Sequence, residues 1–174
     1  LNWILFGFKA SGKSYFAKRL GLPYIDTDIL IEERERMQVR DIVLQKGENY
    51  FREIEKEIVA SLSVTETVIA VGGRTVLELE NLNALQKLGT LVYLKCPKEL
   101  LKKRLLVPPL PTFLKNTTFE KMYYERKPKY ETIPATWIEL DGKTNQEVLE
   151  ELWQVINLEK SLASPHGASP TAKP

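Results

Sequence analysis

The stretch Gly7 to Ser14, GFKASGKS, constrains this chain more than any other part of it. It satisfies G-x-x-x-x-G-K-[ST] directly after the apolar run NWILFGF and directly before the helical text SYFAKRL. In that strand, turn and helix context, successive backbone N–H groups wrap phosphate groups. Lys13 then reaches the terminal phosphates as a mobile point charge, and the Ser14 hydroxyl is placed for a magnesium ion. The start of the next helix adds partial positive charge at the same spot. Four fixed positions match by chance in roughly one chain in a hundred of this size, before the flanking strand and helix are required.

The rest of the chain repeats the alternation of short apolar runs with amphipathic ones. PYIDTD reads as a second strand, followed by charged helical text from Ile29 to Arg36, a short helix over VRDIVLQK and a longer one over NYFREIEKEIVASL. TVIAVGG, TLVYLK and WIEL read as three more strands, with helices over KELLKKRLL, FEKMYYERK and NQEVLEELWQVINLEK. Strands separated by helices predict an α/β fold, a five-stranded parallel sheet flanked by helices, with ligands at the carboxyl ends of the strands.

Composition limits the alternatives. With 174 residues and 43% hydrophobic content, the chain is expected to form one domain over residues 1–160. The end of the chain, SPHGASPTAKP, is too poor in apolar side chains to order itself, so 161–174 is expected to be a disordered tail. His166, the only histidine, lies in that tail, which argues against histidine catalysis and multi-histidine metal sites. A net charge of +2 gives no overall footprint for nucleic acid. WILFGF is far too short to span a bilayer. Cys96 is alone, which excludes an internal disulfide and spaced-cysteine zinc motifs and fits the cytoplasm. The expected partner is therefore a small molecule, bound by a monomer with no nucleic-acid or membrane partner.

Asp26 and Asp28 close the second strand two residues apart, so they project to one side if the strand continues through them. Two carboxylates would then face the phosphate site, one for magnesium and one to accept a proton from an attacking hydroxyl. The pair also suits a helix N-cap before ILIEERER. Arg52 in FREIE and Arg126 in ERKPKY could be surface charges, but a carboxylated phosphoryl acceptor needs fixed guanidinium groups in a fork geometry. Gly72 and Gly73 would let such an acceptor approach the backbone.

Taken together and in order, GFKASGKS, YIDTDILIE, GENYFREIE, VIAVGGR, LVYLKCP, ERKPKY and LDGKTNQEV resemble the shikimate kinase family, over the chain to about Leu158. The resemblance implies a P-loop kinase fold with a mobile lid, here about residues 106–118. It implies ATP-dependent phosphorylation of the shikimate 3-hydroxyl, with Mg2+, in aromatic amino-acid biosynthesis. By resemblance, Lys13 and Asp28 are catalytic, and Ala10, Ser11, Gly12, Lys13, Ser14, Tyr15 and Arg104 bind ATP. Ser14 and Asp26 hold magnesium. Asp28, Arg52, Gly72, Gly73 and Arg126 bind shikimate, and the turn from Gly142 to Thr144 flanks adenine. A gluconate-type or nucleoside monophosphate kinase would share the loop and the lid layout but needs other acceptor contacts.

Three features depart from the family. Lys9 and Ala10 replace the more usual methionine and glycine, and Arg74 stands where a third glycine is usual, which implies a helix-compatible backbone there. The lid normally carries Arg-Pro-Leu-Leu, yet no arginine occurs from Leu105 to Glu125. The best local match sets Pro108 to Pro111 against that motif, in a lid that looks shortened. A lid arginine can contribute about 10³ to 10⁵ in rate in related phosphoryl transfers. Either Lys115 supplies a cation on lid closure, or the chain is an ATP-binding protein with weakened activity. Keeping Lys13, Asp26, Asp28, Arg52 and Arg126 together favours the first.

Overall fold

The computed structural model describes residues 1–164. Five strands, β1 (Asn2–Phe6), β2 (Tyr24–Asp26), β3 (Thr67–Ala70), β4 (Thr90–Lys95) and β5 (Thr136–Glu139), form one wholly parallel sheet in the order β2-β3-β1-β4-β5. Eight α-helices connect and cover them: α1 (Lys13–Arg19), α2 (Thr27–Glu35), α3 (Val39–Lys46), α4 (Glu48–Ser61), α5 (Leu79–Leu88), α6 (Lys98–Leu105), α7 (Phe119–Thr132) and α8 (Asn145–Ala163).

Every residue of β1 and β3 is buried, as a central parallel strand covered on both faces requires. In the register, Ile4 of β1 lies beside Ile69 of β3 and Leu91 of β4. Asn2 ties the start of this layer together, its side-chain amide donating to the carbonyls of Val64 (2.8 Å) and Leu88 (2.9 Å) while its oxygen accepts from the Thr67 N–H. Gly89 is needed at the entry to β4, because a Cβ there would lie 2.2 Å from the Asn2 carbonyl oxygen.

A second, smaller core lies apart from the sheet, where Ile31 of α2, Ile42 of α3 and Phe51, Ile54 and Ile58 of α4 pack together. Burying five such side chains contributes about 1.5–3 kcal/mol each before entropy is counted. Val39 and Val43 of α3 and Phe51 of α4, from this three-helix unit, form an apolar wall of the cavity beside the phosphate loop.

Several expected elements differ in extent. The text LENLNALQKL forms α5, which was not expected, after a 3-10 turn over Thr75–Leu77. Helix α7 does not end near Arg126 but runs through Pro128 to Thr132. Proline lacks the N–H that would bond the Tyr124 carbonyl, and Tyr124 is on the solvent side, where water can serve that carbonyl. Strand β2 stops at Asp26, so Asp28 is not on it. Helix α8, started by a capping box between Thr144 and Glu147, runs to Ala163, three residues past the expected limit of 160. His166 and the rest of the expected tail from 165 to 174 lie outside the described residues.

Candidate active site

The loop after β1 turns on backbone angles that few residues tolerate. Gly7 (φ 144°) and Gly12 (φ 98°) carry positive φ, and a Cβ on Gly12 would strike the Phe16 ring at 2.7 Å. Ala10 also has φ 70°, a left-handed angle that costs an alanine about 1–2 kcal/mol relative to glycine. Ser11 is fully buried beneath the loop, and its hydroxyl has no hydrogen-bond partner among the described residues. The Lys13 ammonium folds back over the loop and donates to the Gly7 and Phe8 carbonyls, both at 2.8 Å. Burial pushes its pKa down to about 8, against the pull of Asp28 and Asp26.

Asp26 serves two purposes at once. Its Oδ1 accepts from the N–H groups of Asp28 (2.9 Å) and Ile29 (3.4 Å), capping α2, and its Oδ2 accepts from the Ser14 hydroxyl. The capping and metal-site readings of the sequence are therefore compatible. Asp28 reaches the same space from the first turn of α2 rather than from a strand, which corrects the same-side argument while leaving the two acids together. Its Oδ1 is buried without a partner, and burial, then Asp26 and Glu55, push its pKa up to about 6.

These groups line one cavity of about 600 Å³. Lys13, Ser14, Asp26, Asp28, Arg52, Gly72, Gly73 and Arg126 line it, together with the apolar Val39, Val43 and Phe51. A Cβ on Gly73 would sit 3.7 Å from the Arg126 guanidinium and 3.9 Å from the Gly7 carbonyl oxygen, so the glycine pair lies between Arg126 and the phosphate loop. Glu55, fully buried, holds Arg52 at 3.1 Å and accepts from the Thr75 hydroxyl at 2.9 Å. Glu48 takes both Arg52 (3.4 Å) and Arg74 (3.0 Å). Arg126 meets no carboxylate among the described residues; burial and the neighbouring Arg74 and Arg52 lower its pKa, opposed by Tyr130. The Tyr130 hydroxyl donates to the Gly73 carbonyl, pinning the glycine pair to α7.

The segment between α6 and α7 closes over the cavity. Its 3-10 turn, Thr112–Lys115, puts Thr112, Phe113 and Lys115 on the cavity wall, with Asn116 next to them. Pro108 to Leu110 are exposed outside, so the wall is formed a few residues later than the lid match by sequence expected. The Phe113 ring lies under the Arg126 guanidinium at 4.9 Å, and Arg40 of α3 donates to the Leu110 carbonyl at 2.8 Å.

Arg104, Tyr15, Gly12, Lys143 and Asn145 line a separate cavity of about 200 Å³ on the other side of the loop, beside the turn at Gly142. Arg104 donates to the Ala10 carbonyl at 2.8 Å. Sequence reasoning assigned no role to Lys9, Glu55, Tyr130 or Phe113. Glu55 and Tyr130 lie within the FRxxE and ERxxxY texts, where their spacing from an arginine was the available signal. Arg74 has φ −104° and ψ −3°, the helix-compatible backbone expected, and its guanidinium lines the cavity.

No group of three or more His, Cys, Asp or Glu side chains able to hold a metal occurs among the described residues. One hydroxyl paired with one carboxylate, as in Ser14 and Asp26, fits a magnesium ion that takes its other ligands from phosphate and water.

A parallel sheet in this order, a phosphate loop after its central strand, and a covered acceptor cavity beside it define a P-loop phosphotransferase. The family model for shikimate kinase matches residues 9–157. The chain is 35% identical over 158 residues to the shikimate kinase of Sulfurihydrogenibium sp. (strain YO3AOP1), covering 87% of this chain and 95% of that protein. It is 34% identical to that of Bacillus cytotoxicus, with the same coverage. The solved structure of the Acinetobacter baumannii enzyme in complex with shikimate aligns with a TM-score of 0.80 at 26% identity, over 91% of this chain and 94% of that one. The Aquifex aeolicus enzyme aligns at 0.75 and 27%, over 94% and 100%. This chain belongs to the shikimate kinase family, whose members are phosphotransferases that use ATP with Mg2+.

Proposed function

We propose that the protein transfers the γ-phosphoryl group of ATP to the 3-hydroxyl of shikimate, giving shikimate 3-phosphate and ADP in aromatic amino-acid biosynthesis. The observation that carries this reading is that one cavity is lined both by the phosphate loop and by Arg126, which meets no carboxylate among the described residues, with Gly73 between the two and the Asp28 oxygen, unpartnered among those residues, in the same lining.

The Gly12 to Tyr15 turn and Lys13 hold the phosphates, and Ala10 and Ser11 shape the loop. Tyr15 and Arg104 flank the base in the smaller cavity. Ser14 and Asp26 would hold Mg2+, which supplies charge neutralisation on the phosphate oxygens. Arg126 and Arg52 grip the acceptor carboxylate in fork geometry, with Arg52 held in place by Glu55. Gly72 and Gly73 allow the ring close to the backbone. Asp28 orients the acceptor hydroxyl and takes its proton, a role suited to a carboxyl whose pKa is raised to about 6. Residues 106–118 act as the lid. With Lys115 on the cavity wall, the lid excludes water from the γ-phosphate when it is closed. The protein is a cytoplasmic monomer in this reading, in line with ATP as phosphoryl donor and with the buried, free Cys96.

Coupled ADP release with shikimate, gluconate, AMP and CMP tests the proposal. Turnover is expected with shikimate alone. ADP release with gluconate or a nucleotide, and none with shikimate, refutes it.

A further inference from the structure

The lid brings no arginine to this site, yet the cavity holds a cation that a typical loop of this family lacks. Lys9 follows Phe8 in the phosphate loop, is exposed, and lines the same cavity as Lys13, Asp28 and Lys115. Its backbone N lies 3.3 Å from where a Cβ on Gly73 would sit, so Lys9 stands at the seam between the phosphate loop and the glycine pair of the acceptor end. Lys9 makes no ion pair among the described residues, whereas Arg52 and Arg74, two partly exposed cations of that wall, are held by Glu48, Glu55 and Glu78.

We propose that Lys9 is a catalytic residue that stabilises the transferring phosphoryl group from the phosphate loop itself, in place of the arginine its lid does not carry. This rests on the phosphotransferase reading above. In the step it serves, the acceptor hydroxyl oxygen forms a bond to the γ-phosphorus as the bond from that phosphorus to the ADP oxygen breaks. The bonding pair leaves with ADP, and the hydroxyl proton goes to the Asp28 carboxylate. Negative charge is spread over the three equatorial oxygens at that moment, and a cation at the seam between donor and acceptor faces them. Lys9 belongs to the phosphate loop and not to the lid segment, so its contribution does not depend on lid movement. A lysine offers a point charge without the bidentate fork, so its effect is expected below that of an arginine finger.

The experiment compares wild type with Lys9→Met and Lys9→Arg. At saturating MgATP and shikimate, Lys9→Met is expected to lower kcat by about 30- to 100-fold, at or below the low end of the ~10²–10³ range for a lost fixed donor, with both KM values within about threefold. Lys9→Arg should recover most of the rate. A second arm needs no turnover: the affinity for MgADP with aluminium fluoride is measured against that for MgADP alone. Lys9→Met should lose about 30-fold of the fluoride-dependent tightening and none of the ADP affinity. Because this arm needs no phosphorylated product, it decides the role of Lys9 even if shikimate proved not to be the acceptor. A change below about threefold in both arms, or a loss confined to the KM for shikimate, overturns the proposal.

Discussion

Replacing Asp28 with asparagine keeps the size of the side chain and removes its charge, and the structure sets the expected effect on stability. Burial is the main cause of the raised pKa, with Asp26 and Glu55 adding repulsion, and the value rises from 3.8 to about 6. A rise of that size corresponds to about 3 kcal/mol. The folded-state pKa lies above the unfolded one, so below pH 4 the carboxyl is neutral in both states and costs nothing. As pH rises from 4 through 6 the unfolded chain ionises more readily than the folded one, and stability is lost. Above pH 6 the wild type carries the whole penalty. Asp28→Asn should therefore melt about 6–12 °C higher than wild type at pH 7.5, from the usual slope for a chain of this length, with the gap closing towards pH 4. Activity should fall at least about 100-fold, the loss of a positioned proton acceptor. Thermal melts at pH 4, 5, 6 and 7.5, without nucleotide or magnesium, measure the difference. A gap that does not vary with pH, or an asparagine variant less stable at pH 7.5, refutes the reasoning.

Other substitutions separate the two ends of the site. Lys115→Ala should lower kcat by about tenfold or more with little change in Tm, and a change under about threefold in steady-state turnover would exclude a lid-borne role for this lysine. Arg126→Lys keeps the charge but loses the fork, so the KM for shikimate should rise about 10- to 100-fold while the KM for ATP stays near its original value. Glu55→Gln leaves the partly buried Arg52 without its main counter-charge and should destabilise the fold by about 2–4 kcal/mol in denaturant titration. It also removes one of the charges that raise the Asp28 pKa, so the acid limb of the kcat/KM profile should move to lower pH.

What could be read in advance was mostly local. The central strand, the phosphate loop, α3 and β4 each carry their signal within a few residues, in apolar runs closed by glycine or by charge. Helix α5 was hidden because it begins at Glu78 without a side-chain capping bond and buries Asn81 on its inner face, which interrupts the apolar spacing. The extension of α7 was hidden because Pro128 reads as a stop unless its freed carbonyl partner faces water. Asp26 and Asp28 were placed together on the condition of a continuing strand; the helix cap, the other reading of the same pair, is what brings them to one cavity. Lys9, Phe113 and Arg40 could not be assigned because their roles depend on how the phosphate loop, the lid and the α3 wall meet. Those segments are far apart in sequence, and no local pattern encodes their contact.

The resting position of Lys13 has a consequence for which nucleotides the loop can hold. With its ammonium seated on the Gly7 and Phe8 carbonyls, the loop is already occupied by part of itself, and binding is an exchange of one set of hydrogen bonds for another. Two such bonds together are worth about 1–3 kcal/mol net. A di- or triphosphate offers the lysine new oxygens and recovers that amount. A monophosphate leaves it where it is and gains nothing from the strongest cation of the loop. The self-contact thus sets the amount that the oxygens of a di- or triphosphate must exceed before the loop prefers a longer phosphate chain, since a monophosphate leaves both bonds unbroken.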